Sequence, residues 1–255
     1  MKSKIAHILE LIIQLIFKLI GVGWGGRRTV SIEVRHVKSI LKEGKVFIDC
    51  GANQGEYSCE LIRNFNDPEV HIFEPSSRNI NQLLKRFDGN RRIKINHLGL
   101  SDQSGEKILY SNARGSALAS LLKRRLDHKN ISFDVKEKVR VVTFQNYWNN
   151  KINSDYIDFL KIDVEGHEMN VLKGIGGKIS NIKLIQFEFG GCNIDSRTYF
   201  QDFWYLLNKN YDIYRLLKNG LQKIKQYEEE QERFLTSTFL SVLKNCKKNM
   251  FVNDL

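Results

Sequence analysis

A chain of 255 residues with 42% hydrophobic content can bury one large core, and its four cysteines (Cys50, Cys59, Cys192 and Cys246) include no C-x-x-C pair and no His partner at a metal-ligand interval. That pattern argues against a disulfide framework and for reduced thiols in a cytosolic protein. The net charge of +11, 40 basic against 29 acidic side chains, raises nucleic acid as a partner, but the basic residues fall in short clusters such as Arg27 with Arg28, Lys123 to Arg125 and Lys247 with Lys248. A solvated surface, or attraction to an anionic glycan or membrane face, explains such clusters as well.

Ile5 to Ile20 is an apolar stretch whose polar residues His7, Glu10, Gln14 and Lys18 recur at intervals of three and four, so a helix gathers them into one stripe. It falls short of the roughly 20 apolar residues that cross a bilayer and carries charges. The simpler expectation is a helix docked on the domain or on a second subunit; the sharper one is an in-plane membrane anchor. Gly21 to Gly26, GVGWGG, reads as a joint, which divides the chain into residues 1–26, an amphipathic helix with its glycine-rich joint, and a catalytic domain over 27–255. A helix over Ile32 to Leu41 follows.

Val46 to Ser58, VFIDCGANQGEYS, is an apolar strand that ends in Asp49 and runs into a glycine turn, with helical periodicity resuming at Tyr57, Leu61, Ile62 and Phe65. Gly51 and Gly55 allow a tight turn and close approach of backbone to a ligand. The turn lacks the G-x-G-x-x-G of a dinucleotide site and the Lys-Ser/Thr of a P-loop. Its carboxylate repels a pyrophosphate and attracts a sulfonium or an amino group. The next strand, VHIFEP, ends at Glu74, 25 residues beyond Asp49. An acid there can accept hydrogen bonds from both hydroxyls of an adenosine ribose. It can also cap the helix Ser76 to Phe87, but two acids ending two successive strands favour the ligand.

A strand over Ile93 to Leu98 leads to Asp102, which either bonds an adenine amino group or opens the turn SDQSGE. Between Lys107 and Phe144 the regularity weakens: a short strand at Lys107 to Ser111, a loop over Arg114 to Leu122 and an alternating strand over Val139 to Phe144. An irregular insertion of this kind suits a substrate lid, and Ser116 and Ser120 are read there as turn or cap residues. Tyr156 to Glu168, YIDFLKIDVEGHE, is the second concentrated signal: a strand closed by Asp163 and a turn carrying Glu165, His167 and Glu168 into a helix. Ligands of open α/β sheets sit beyond such strand ends. Glu168 by itself also complements a helix dipole. Then come a strand Lys183 to Phe189 with Glu188 near its end, a helix Tyr199 to Leu207, a strand Tyr211 to Leu216, a solvated connection Lys223 to Arg233, and a last strand Thr236 to Leu243. The expected architecture is α/β: a Rossmann-like, mostly parallel sheet of seven strands with helices on both faces and an antiparallel last strand.

The strings VFIDCGANQGEYS, HIFEPSSRNINQLL, LGLSDQSGE and FLKIDVEGHEMNVLKG, in that order, resemble the FkbM family of S-adenosylmethionine (SAM) dependent methyltransferases over roughly Val46 to Leu243. The resemblance implies O-methylation of hydroxyl groups on sugars or secondary metabolites. It also implies a SAM site of Asp49, Gly51, Ala52, Asn53, Gly55 and Tyr57 in the loop, Glu74 with Pro75 at the ribose, and Ser101 with Asp102 by the adenine. Cys50 departs from the Val or Ile common there. The family assigns no fixed catalytic residue. A hydroxyl nucleophile needs a base, and His167, oriented or supplemented by Asp163 or Glu165, is the expected one because neutral imidazole is available near pH 7. A variant has Asp163, Glu165 and Glu188 hold a divalent cation, which the sequence does not require. The rival functions are RNA methylation, which the charge permits, and noncatalytic adenosine binding or scaffolding. The acceptor is expected to be a small molecule or glycan hydroxyl, such as a cell-surface polysaccharide precursor. The setting is expected to be cytoplasmic, with peripheral membrane contact through the N-terminal helix and homo-oligomer formation as open options.

Overall fold

Strands that are apolar on both faces belong in the middle of a parallel sheet, and the two strongest apolar runs lie side by side at its centre. A computed structural model describes residues 2–22 and 29–244. Its elements are α1 (Lys2–Ile20), α2 (Val30–Leu41), β1 (Val46–Cys50), α3 (Glu56–Asn64), β2 (Glu69–Phe73), α4 (Ser77–Arg86), β3 (Ile93–Asn96), β4 (Gly99–Leu100), β5 (Gly105–Ser111), β6 (Val135–Val142), α5 (Phe144–Lys151), β7 (Ile157–Ile162), α6 (Glu168–Lys173), β8 (Ile182–Phe189), α7 (Cys192–Ser196), α8 (Phe200–Leu207), β9 (Tyr211–Leu217), β10 (Gly220–Ile224) and β11 (Ser237–Leu243). The sequence places the joint at Gly21 to Gly26 and charge clusters at Arg27, Arg28, Lys247 and Lys248; apart from Gly21 and Val22 these lie outside the described residues, as does Cys246.

The main sheet runs β10-β9-β11-β8-β7-β1-β2-β3. The run from β8 to β3 is parallel, and β11 inserts antiparallel between β8 and β9. The sheet therefore has the Rossmann-like order and the antiparallel last strand expected, but eight strands rather than seven. The eighth is β10, which pairs with β9 from Gly220 to Ile224. The solvated connection expected from Lys223 therefore begins inside this strand, and the hairpin turn before it is Lys218-Asn219. Helices cover both faces, one layer closing over Phe47, Val70, Phe159 and Leu184 and the other over Ile48, Leu160, Ile185 and Phe187.

Three further departures lie in the weakly patterned segments. β6 starts at Val135 and pairs antiparallel with all of β5, and with β4 it makes a separate three-stranded sheet. The expected strand end at Phe144 is the start of α5 instead, because the Thr143 hydroxyl accepts a hydrogen bond from Asn146 N and caps that helix. The short α7 was not anticipated.

After β1 the chain moves outward through β2 and β3 and returns to β7 on the other side of β1. That change of direction opens a crevice between the carboxyl ends of β1 and β7, where ligands of open α/β sheets bind.

Candidate active site

The crevice is narrow because of one residue without a side chain. Gly51 has φ +81°, and a Cβ there would sit 1.8 Å from the carbonyl oxygen of Asp163. Only glycine lets the loop after β1 lie against the end of β7. Gly55, also at φ +81°, starts α3 with the Phe87 ring so close that a Cβ would meet it at 2.6 Å. It shapes the loop and does not line a cavity.

Two cavities open on either side of this loop. The first is lined by Gly51, Asn53, Glu74, Pro75, Asn79 and Leu100, and closed over by the segment Ser116 to Leu121. Glu74 is buried, with Oε2 accepting from Asn53 N at 2.8 Å and Oε1 from Ser76 N at 2.9 Å. Burial pushes its carboxyl up to about 7 against these hydrogen bonds. Around it three buried polar atoms have no hydrogen-bond partner: Asn53 Oδ1, Ser76 Oγ and Asn79 Oδ1. Orphaned polar atoms in a native interior are costly, and beside a cavity they mark a place where a polar ligand completes the bonding.

The second cavity, of about 390 Å³, is lined by Glu33, Ala52, Tyr57, Lys161, Asp163 and Glu188 among others. Lys161, which lines it, belongs to a polar row that crosses the sheet beneath. Asp49 and Lys161 are register partners on β1 and β7, and Lys161 pairs in register with Gln186 on β8, so the three side chains share one face. Asp49 is fully enclosed, accepting from Ser58 Oγ at 2.6 Å and lying 3.4 Å from Lys161 Nζ. Lys161 also lies 3.3 Å from Asp163. Burial opposes its charge, but Asp49, Asp163, Glu33 and Glu188 outweigh that, and its ammonium stays above its ordinary range. Gln186 accepts from the Tyr57 hydroxyl at 2.7 Å and donates to Glu33 at 2.7 Å.

Asp163 and Glu165 line both cavities and so stand at their junction. Glu165, at φ +54°, is ion-paired with Arg124. Burial, then the charge of Asp163, lifts its carboxyl to about 7 despite Arg124. Glu188 is held well above the usual carboxylate range by burial and by Asp163, Glu33 and Glu165.

The structure brings most of the residues expected from sequence to the two cavities and places Asp49, Gly55, Ser101, Asp102 and His167 away from their linings. Gly51, Asn53, Glu74, Pro75, Asp163 and Glu165 line the first cavity, while Ala52 and Tyr57 line the second. Asp49 does not line either; strand alternation turns it to the opposite face from Cys50, where it anchors Lys161 and α3. Ser101 and Asp102 also stand away from the cavities, and the first is closed at that strand by Gly99 and Leu100 instead. Ser101 Oγ donates to Asp102 Oδ1 at 2.9 Å and bonds His167 Nε2 at 2.9 Å. His167 is therefore a buried link between β4 and the loop after β7, not a group facing an acceptor. Burial, with Lys107 nearby, lowers its imidazole to about 4, which makes it a weak base.

Glu168 is fully buried and accepts from Val164 N at 3.0 Å and from Gly166 N, so it ties the D-V-E-G-H turn together. Among the described residues no three His, Cys, Asp or Glu groups are arranged to hold a metal ion; Asp163 faces Lys161 and Glu165 faces Arg124. Sequence reasoning missed Lys161, Asn79, Glu33 and Arg124. Only Lys161 carried a signal, a lone cation inside the apolar strand FLKI.

In comparison with known proteins, the chain is 23% identical over 172 residues to the 2-O-methyltransferase NoeI of Sinorhizobium fredii, covering 63% of this chain and 70% of that protein. Among solved structures it is similar to M. capricolum TrmK in complex with S-adenosyl-homocysteine (TM-score 0.43, 12% identity, 82% of this chain and 68% of that one). It is also similar to a precorrin-6y C5,15-methyltransferase from Geobacter metallireducens (TM-score 0.42, 8% identity, 82% and 87%). Residues 49–216 match the methyltransferase FkbM domain, which spans both strand-end acids, the glycine loop and the D-V-E-G-H turn, and the chain belongs to that methyltransferase family.

Proposed function

We propose that the chain is a SAM-dependent O-methyltransferase that acts on a hydroxyl group of a sugar in a cell-surface glycan or its precursor. The observation that carries this reading is the Glu74 cradle: a buried carboxylate with three orphaned polar atoms beside it, opening through Asp163 and Glu165 into a carboxylate-lined cavity. Bound there, SAM supplies an electrophilic methyl on a sulfonium. Glu74, Asn53 and Asn79 fit its adenosine, since Glu74 accepts from Asn53 N, Ser76 N and the Asn79 side chain and its four lone pairs leave one for a ribose hydroxyl. The carboxylates of Asp163 and Glu165 suit a cation near the junction.

The acceptor hydroxyl then enters the second cavity, where Glu33, Glu165 and Glu188 accept hydrogen bonds from a polyol. Glu165 takes the proton of the attacking hydroxyl: it touches both cavities, and a carboxyl near 7 is matched to general-base work at neutral pH. Arg124 and the hydrogen bond from Ser120 Oγ to the Glu165 carbonyl, at 2.8 Å, hold it in place. The similarity to NoeI, a 2-O-methyltransferase, supports an oxygen acceptor.

The test is incubation of the purified chain with isotope-labelled SAM and a panel of mono- and oligosaccharides, read by mass spectrometry. Label on a sugar oxygen is the expected result. SAM binding with label transferred only to RNA, or to no acceptor class while RNA is bound tightly at low salt, would overturn it.

A further inference from the structure

Helix α1 leaves a large apolar surface without cover. Between Ile5 and Leu19, nine large apolar side chains are 46% to 67% exposed, from Ile12 at the low end to Leu19 at the high end. In the rest of the described chain such residues are scattered singly, which is ordinary for a soluble surface. Near its C-terminal end α1 meets the domain. Arg233 stacks on the Phe17 ring at 4.8 Å, and Val22, just past the helix, is buried.

The shape of this surface says what can cover it. At 3.6 residues per turn, the positions of Lys4, His7, Glu10, Gln14 and Lys18 fall within an arc of about 120°, leaving about 240° apolar. A partner helix or a protein groove covers a much narrower stripe, of the kind an amphipathic or coiled-coil helix presents. A continuous apolar medium covers the whole of it. The helix is about 28 Å long by its 19 residues, and no helix among the described residues is long and apolar enough to cross a membrane. Its polar arc and N-terminus carry Lys2, Lys4 and Lys18 against the single acid Glu10, in a chain of net charge +11. Cations beside an immersed apolar face match anionic lipid headgroups.

We infer that α1 lies in the plane of an anionic lipid bilayer, its apolar face sunk into the acyl boundary, and docks the catalytic domain there. This holds whatever the acceptor is, and it does not depend on the identity of the methyl donor.

Flotation of the full chain with phosphatidylcholine vesicles, with and without phosphatidylglycerol, tests it. The expected result is recovery with the lipid, about tenfold stronger when the anionic lipid is present and weakened by salt. The double variant Ile8→Glu/Ile12→Glu should stay at the bottom with its thermal unfolding unchanged, because both side chains are exposed. An Ile13→Trp variant gives a second readout, a blue shift of the added tryptophan emission on mixing with anionic vesicles. The inference is overturned if the wild type stays at the bottom with both vesicles, if the double variant floats equally, or if the added emission does not shift. It is also overturned if the lipid-free chain forms an oligomer that Ile8→Glu/Ile12→Glu dissociates, since a second copy then covers the face.

Discussion

Replacing Glu74 with Gln tests the cradle most directly. The carboxylate accepts two backbone hydrogen bonds, from Asn53 N and Ser76 N, and one from the Asn79 side chain, which leaves one of its four lone pairs for a ligand. Gln keeps one acceptor oxygen and turns an NH₂ toward a backbone donor. A hydrogen bond to a charged group contributes about 1.5 to 3 kcal/mol, so E74Q should weaken SAM binding by about 10- to 150-fold at pH 8. The pH dependence adds a signature that simple misfolding would not mimic. With its carboxyl at about 7, Glu74 is about 90% ionised at pH 8 and about 1% at pH 5, so wild-type affinity should fall by about 100-fold over that range. E74Q should be flat by comparison. The same shift acts on stability in the opposite sense. The folded state holds this proton more tightly than the unfolded chain, whose carboxyl lies near 4.5, so the contribution is fully present below 4.5 and is lost as pH rises through 7. Titration calorimetry from pH 5 to 8 on both proteins is the assay. An affinity of E74Q within threefold of wild type at pH 8, or parallel pH profiles for the two, would refute the assignment of Glu74 to the ligand.

Glu165→Gln should lower turnover by about 10² to 10⁴ while SAM affinity stays within a few-fold, as separate kinetic and calorimetric measurements would show. His167→Ala should cost about 1 to 3 kcal/mol of stability through the lost bond to Ser101, read by denaturant unfolding, yet keep kcat in the fully folded fraction. Lys161→Met leaves the enclosed Asp49 without its cation and should destabilise by about 3 to 5 kcal/mol. If the protein is instead as stable as wild type, the polar row beneath the loop is not the support described. Gly51→Ala forces a side chain to within 1.8 Å of the Asp163 carbonyl at φ +81°, so soluble yield and SAM binding should both be lost.

The site was legible where chemistry and local pattern coincide. Asp49, Glu74 and Asp163 each end an apolar strand, and strand ends are where a parallel sheet delivers its side chains to a ligand. The glycine pair announced a turn that approaches another backbone, and the approach proved to be against Asp163. What the strings did not show was direction. Neighbouring strand residues point to opposite faces, so whether Asp49 met the ligand or Lys161 depended on the register of β1 with β7, 112 positions apart in the Asp49 and Lys161 pair. His167 looked like a base because its ring is available near neutrality in water; enclosure against Ser101 took away both its access and its basicity.

The order of apolar strands, the acids at their ends and the glycine loop were thus settled by the sequence alone, because each depends on a few neighbouring residues. The tertiary structure decided the rest. It set the separate sheet made by β4, β5 and β6, the pairing of Asp49 with Lys161 and of Glu165 with Arg124, and the exposure of α1. All of these depend on which distant segments pack together, and burial and charge there are properties of the packed neighbourhood rather than of any short string.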